Sequence, residues 1–279
     1  ASDVYKRQID WVYQHRIGDW SAMSNLPQPL RMVLAENYEI RRGSIEQLQQ
    51  ARDHAVKLLL RFPDGAACET VLIPDEPRQT VCVSSQVGCP VQCAFCASGQ
   101  GGLQRSLTGG EIVEQVLWAA DQLKEGRRIS NVVVMGMGEP MLNYDAVMQA
   151  VRILNADWGM NIGARHITIS TVGLPEGILR LAQEPLQVTL AVSLHAADDN
   201  LRGRLIPLAR RYKLDELFAA IDEYYHLTHR EVTLEYVLLA GVNDGLAHAD
   251  QLVRRIQGSR CNVNLINYNA VSYTHLRAH

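Results

Sequence analysis

From residue 79 onward the chain alternates between short Val/Ile/Leu-rich runs and helical patterns, and this feature constrains the fold most. The runs read as strands at 80–84, 131–137, 166–171, 188–195, 232–239 and 262–267. Helical spacing of apolar residues fills 110–124, 144–154, 176–182, 214–228 and 247–256. Thr108-Gly-Gly-Glu111 is a capping-box match that opens the first of these helices. Strands that are apolar on both faces belong to a parallel sheet covered by helices. Parallel strands joined by helices take right-handed crossovers. The expected fold is therefore α/β, a partial (β/α)6 TIM-like barrel. Such barrels carry their chemistry at the C-terminal ends of the strands, which decides which residues matter.

The stretch before the alternation reads differently. Residues 9 to about 52 show short helical patterns punctuated by Asn25-Leu-Pro-Gln-Pro29. Residues 55–62 and 69–73 read as strands around a Pro63-Asp-Gly-Ala66 turn. This gives an expected small accessory domain at 9–78, helices plus a β-hairpin, ahead of a core domain at 79–270. Residues 1–8 and 271–279 resemble translated sequencing-adaptor sequence, so both are expected to be non-native and to stand outside the fold.

Composition narrows the function class. With 279 residues, 47% of them hydrophobic, the chain can bury a large core, yet no apolar run reaches the roughly 18 residues of a membrane span. Six cysteines, three of them in one motif, point to a reducing cytoplasmic setting rather than a disulfide scaffold. A net charge of −3 gives no global attraction to nucleic acid, so RNA binding needs local basic patches. Arg202, Arg204, Arg210, Arg211 and Lys213 form one such run, which reads equally as phosphate contacts or as a solvated helix face.

The motif is Cys89-Pro-Val-Gln-Cys93-Ala-Phe-Cys96, directly after the first parallel strand. A [4Fe–4S] cube normally takes four thiolates, so three leave one iron open to a substrate. A zinc site or three buried thiols remain alternatives, although structural zinc wants four ligands and no second pair follows. The second strand ends in Met135-Gly-Met-Gly-Glu139-Pro140, where glycines admit a ligand to the backbone and Glu139 offers a carboxylate to an amine. Ser170 and Ser193–His195 end the next two strands, and Tyr268-Asn269 ends the last.

Together these residues, with Glu235-Tyr-Val-Leu-Leu239 and Val242-Asn-Asp-Gly245, resemble the RlmN/Cfr family of radical S-adenosylmethionine (SAM) RNA methyltransferases over about residues 9–270. The resemblance implies a 4Fe–4S cluster on Cys89, Cys93 and Cys96. It implies SAM contacts from Gly138, Glu139, Ser170, Ser193, Leu194, His195 and Asn269. It implies methylation of an adenine carbon in RNA: carbon 2, in 23S rRNA and in tRNA beside the anticodon, for RlmN, and carbon 8 for Cfr. Pro140 after Gly-Glu favours the carbon-2 branch; a different radical SAM enzyme stays open. In the family one SAM methylates a cysteine and a second SAM yields the radical that activates this methyl group. Cys82 matches the cysteine that resolves the protein–RNA adduct by disulfide formation, and Glu69 the proton acceptor. The methyl-carrying cysteine belongs to a C-terminal segment, and none of the six cysteines here matches it, so the chain is expected to be a C-terminally truncated fragment, incomplete for turnover. A monomer served by an external electron donor such as flavodoxin, without membrane association, completes what the resemblance implies.

Overall fold

The computed structural model describes residues 2–269, with side chains from Tyr5 onward. Helices α1 (Ser2–Tyr13) and α2 (Gln28–Asn37) precede strands β1 (Ser44–Gln50), β2 (Val56–Arg61), β3 (Ala67–Asp75) and β4 (Arg78–Cys82). Then come β5 (Gln86–Gly88), β6 (Leu103–Ser106), α3 (Gly109–Ala120), β7 (Asn131–Val134), α4 (Tyr144–Asn155) and β8 (Ile167–Thr171). The chain continues through α5 (Pro175–Ala182), β9 (Thr189–Ser193), α6 (Asp199–Leu205), α7 (Leu214–Thr228), β10 (Val232–Leu238), α8 (Leu246–Ile256) and β11 (Cys261–Asn267). These elements fall into two units interleaved in sequence. One takes the chain to residue 84, then 107–136 and 145–167; the other takes 85–106, 137–144 and 168 onward.

In the first unit β1, β2, β3 and β4 form an antiparallel meander, and β4 also pairs in parallel with β7. Alternate residues Val56, Leu58 and Leu60 of β2 turn inward, the signature of a half-buried strand. The capping box forms as the sequence predicts: Glu111 N–H donates to Thr108 Oγ1 (3.2 Å) and Thr108 N–H to Glu111 Oε2 (2.8 Å). The predicted boundary at 78/79 falls inside the β3–β4 ladder, which runs from Val71↔Cys82 to Asp75↔Arg78, so the hairpin and the first parallel strand share one sheet. Strand β1 replaces the end of the predicted helical region. Its Gln- and Glu-rich sequence is exposed and carries no apolar period; pairing with β2 and a Glu46–Arg61 ion pair across the strands (2.6 Å) hold it extended. Residues 2–8, predicted to stand apart, continue into α1, and Arg7 Nη1 donates to the Asn25 carbonyl at 2.6 Å. The predicted foreign tail at 271–279 lies outside the described residues.

In the second unit β8, β9, β10 and β11 are parallel neighbours in that order. Leu190, Ala191 and Val192 of β9 are all buried, as expected of a strand covered on both faces. The short antiparallel β5–β6 pair brackets the cysteine loop. Among the described residues no helix is long and apolar enough to cross a membrane.

Candidate active site

The three motif cysteines lie in the second unit. Gly88 closes β5 at φ +75°, where a Cβ would stand 2.0 Å from the Gly102 carbonyl oxygen, so only glycine lets β5 and β6 approach here. Cys89 N–H then donates to that carbonyl at 3.0 Å. The loop reverses at Gln92, whose φ of +55° helps turn the N–H groups of Val91 and Gln92 toward the Cys89 sulfur. Ala94 N–H donates to the Leu205 carbonyl (2.9 Å), pinning the loop to α6. Below it Cys89 and Val91 join an apolar cluster with Ala196, Leu201, Leu205 and Tyr268, against which Cys93 and Phe95 pack.

Burial pushes the Cys89 thiol up, and charge on Cys96 and Glu139 pushes the same way; the N–H groups of Val91 and Gln92 oppose it. Burial raises Cys93 as well, with Cys96, Cys89 and Glu139 adding to the rise and Arg202 opposing it. The three sulfurs therefore sit within electrostatic reach of one another, and bound metal would supply the positive charge that ionises them. Among the described residues no three His, Cys, Asp or Glu side chains converge as one ion requires. Structural zinc takes four ligands, whereas a cube offers each of three thiolates its own iron. Donor type, N–H···S bonds and a nearby guanidinium all fit a thiolate-held cluster.

The Gly138–Glu139 turn is built with equal constraint. Gly138 has φ +107°, and a Cβ there would meet Ser85 Oγ at 2.6 Å and Gln86 Cβ at 2.7 Å. Glu139 is 2% exposed. Its Oε2 accepts from Val172 N–H (2.8 Å) and its Oε1 from Met141 N–H (3.0 Å), while its own N–H donates to Gln86 Oε1 (2.9 Å). Burial raises its pKa; the N–H groups of Val172 and Met141 and the Thr171 hydroxyl hold it down. The carboxylate thus ties the turn to the end of β8 and retains lone pairs for a further donor.

At the end of β9 the chain leaves the predicted strand early, because His195 takes φ +56°. The N–H groups of Leu194 and His195 both donate to the Glu235 carbonyl (3.0 and 3.2 Å). His195 Nδ1 accepts from Val237 N–H at 3.1 Å, which puts the ring proton on Nε2. Burial first, then the Arg202 charge, pushes this histidine down to about 3, so it is neutral at physiological pH. Phe95 of the cysteine loop meets the His195 ring edge-on, centroids 4.7 Å apart. Ser170 and Ser193 are half-buried at the ends of β8 and β9, and Asn269 is exposed beyond β11. Tyr268, which precedes it, is buried in the apolar cluster.

Three residues of this site have no role assigned by sequence reasoning, although Phe95 and Asn243 lie within its motifs: only the fold brings Phe95, Gln86 and Asn243 against Glu139 and His195. Arg202 is not a surface phosphate ligand: it is buried, while Arg204, Arg210, Arg211 and Lys213 are exposed. Glu69 and Cys82 belong to the first unit. Glu69 pairs with Lys57 Nζ at 3.0 Å. Cys82 ends β4 and accepts from Met135 N–H; burial pushes its thiol up to about 11. All six cysteines are free.

A parallel sheet with a three-cysteine loop, a Gly-Glu turn and a neutral histidine at its strand ends defines a radical SAM enzyme, and the Radical SAM superfamily profile matches residues 83–253. A probable dual-specificity RNA methyltransferase RlmN of Thermosynechococcus vestitus is 50% identical over 262 residues, 94% of this chain and 76% of that protein. Its counterpart RlmN 2 of Protochlamydia amoebophila is 46% identical over 95% of this chain and 75% of its own. The crystal structure of a radical SAM methyltransferase from Sphaerobacter thermophilus, 48% identical, superposes with a TM-score of 0.96 over 98% of this chain and 81% of that one. The chain belongs to the RlmN family of radical SAM RNA methyltransferases. Family membership implies SAM and a 4Fe–4S cluster as its cofactors.

Proposed function

We propose that the protein methylates carbon 2 of adenine in 23S rRNA and in tRNA, with the cluster on Cys89, Cys93 and Cys96 and SAM at Gly138, Glu139, Ser170, Ser193, Leu194, His195 and Asn269. The observation that carries this reading is the contact of the cysteine loop with the His195 turn through Phe95, in the same unit as the Gly138–Glu139 turn. When bound, the cluster supplies the electron for reductive cleavage of SAM. Glu139 accepts from the methionine amine, and neutral His195 donates from Nε2 without adding charge. Ser170 and Ser193 hydroxyls and Asn269 orient the remainder of the cofactor. The apolar bed under Cys89 keeps water away from the thiolates.

Glu69, beside Lys57, takes the proton that the adenine carbon gives up. Cys82 closes a disulfide with the methyl-carrying cysteine and frees the product. Burial keeps Cys82 a thiol until that step, which protects it from premature reaction. A one-electron donor such as flavodoxin serves a monomeric enzyme.

The test is a chimera in which the residues after Asn269 are those of the Thermosynechococcus relative, reconstituted with iron and sulfide and incubated with SAM, reductant and unmodified RNA. Mass spectrometry of the nucleosides is expected to find 2-methyladenosine. Finding 8-methyladenosine overturns the choice of carbon. Release of 5′-deoxyadenosine with no methylated base overturns RNA methylation.

A further inference from the structure

Arg202 lies on α6 and is 1% exposed. Its Nε donates to the Leu194 carbonyl (3.2 Å), and its Nη2 to the carbonyls of Val172 (2.5 Å) and Ser193 (3.3 Å). One planar fork thus joins the segment after β8 to the end of β9. Three neutral carbonyls satisfy these N–H groups without neutralising the charge, and an unpaired ion is costly to bury. The nearby acids are engaged elsewhere. Asp198 accepts from Leu201 N–H (2.8 Å) as the α6 cap, and Asp199 accepts from Leu214 N–H (2.9 Å), acting on Arg202 only through space. Nη1 is buried and has no hydrogen-bond partner among the described residues. The helix that carries Arg202 also holds the cysteine loop, through Ala94 N–H and the Leu205 carbonyl (2.9 Å).

We infer that Arg202 is a positioning residue of the cofactor site: its fork fixes the two SAM-facing segments, and its charge offsets the anionic, thiolate-held cluster. This rests on the cluster assignment proposed above. Reduction adds one electron to a site that is already negative, so a fixed cation beside it favours the reduced form. Removing the cation therefore lowers the reduction potential. A lysine keeps the charge but cannot span three carbonyls, so it separates the two roles.

Reconstituted Arg202→Met and Arg202→Lys chains are compared with the parent by iron content, circular dichroism and a redox titration followed by electron paramagnetic resonance, without SAM. At fixed potential the reduced-to-oxidised ratio is expected to fall at least about tenfold in the methionine variant, about 59 mV for one electron, and to stay within about threefold of the parent in the lysine variant. SAM binding to the lysine variant is expected to weaken about tenfold, since two or three charge-assisted bonds are lost. An iron-loaded methionine variant with the parent's ratio overturns the inference. If the methionine variant does not fold, Asp199→Asn decides: it keeps an acceptor for Leu214 and leaves the guanidinium unopposed, so the ratio must rise, and an unchanged ratio overturns the inference. A parent chain that binds no cluster overturns the functional reading itself.

Discussion

Asn243, 2% exposed in the turn after β10, is the residue on which the His195 turn depends most. Its Nδ2 donates to the carbonyls of His195 (2.8 Å) and Val237 (2.6 Å), and its Oδ1 accepts from Leu239 N–H (2.7 Å). Asn243→Ala deletes all three bonds and strands two carbonyls and one N–H away from water. A lost bond of this kind costs about 1 kcal/mol net and an unsatisfied buried group about 1–3, so three together cost about 3–6 kcal/mol. At about 2–4 °C per kcal/mol for a protein of this size, the melting temperature should fall by about 6–24 °C. Asn243→Asp separates hydrogen bonding from volume, because it keeps the shape but turns a carboxylate oxygen toward two carbonyl oxygens. Burial and that repulsion raise its folded pKa above the unfolded value of about 3.9. Its penalty is therefore full at neutral pH and shrinks as pH falls from the raised folded pKa, where the folded carboxyl takes up a proton, toward the unfolded value of about 4. Thermal melts of both variants at pH 7.5 and pH 5, with SAM binding by calorimetry, give the answer. An Asn243→Ala chain that melts within about 2 °C of the parent, or an Asp variant as stable as the parent at pH 7.5, would refute the reasoning.

Each of Cys89→Ala, Cys93→Ala and Cys96→Ala should abolish iron uptake on anaerobic reconstitution, while Cys68→Ala and Cys261→Ala keep it; full iron in any of the first three removes the cluster assignment. Gly138→Ala should keep its iron yet bind SAM at least about tenfold more weakly in equilibrium dialysis, because a side chain is both strained and obstructed there; unchanged affinity counts against the turn as a cofactor contact. Cys82, pushed up to about 11, should be alkylated by iodoacetamide about ten times faster per pH unit between about pH 7 and 10. A rate that levels off near pH 8.5, read by peptide mass spectrometry, would show an ordinary thiol. The same shift bears on stability: the unfolded thiol ionises near pH 8.5 and the folded one near 11, so this contribution is present below about 8.5 and lost as pH rises between them.

How far the sequence disclosed the fold can be followed residue by residue. Strands such as 166–171 and 232–239 announce themselves because their apolar residues are buried and their ends abut helical periods. Strand β1 does not, because an exposed edge strand of Gln and Glu owes its conformation to a partner and not to its own pattern. Cys89, Cys93, Cys96, Gly138 and Glu139 stand out as candidates because close spacing would carry their chemistry. The roles of Asn243 and Arg202 do not show in the sequence: each acts on backbone groups far away along the chain, Asn243 on His195 and Arg202 on Val172. A buried arginine and an exposed one look the same in a basic run, and only packing tells Arg202 from Arg204.

The interleaving of the two units dictates an order of events on the ribosome. The chain passes between units after residues 84, 106, 136, 144 and 167, so no contiguous fragment contains all of the second unit alone. The cysteine loop emerges early, but the bed that covers it, from Ala196 through Leu205 to Tyr268, is completed only about 170 residues later. At about 5–20 residues per second this leaves the three thiols unsheltered for roughly 10–35 s of synthesis. A cluster held as proposed above would gain its apolar bed only once Tyr268 has emerged.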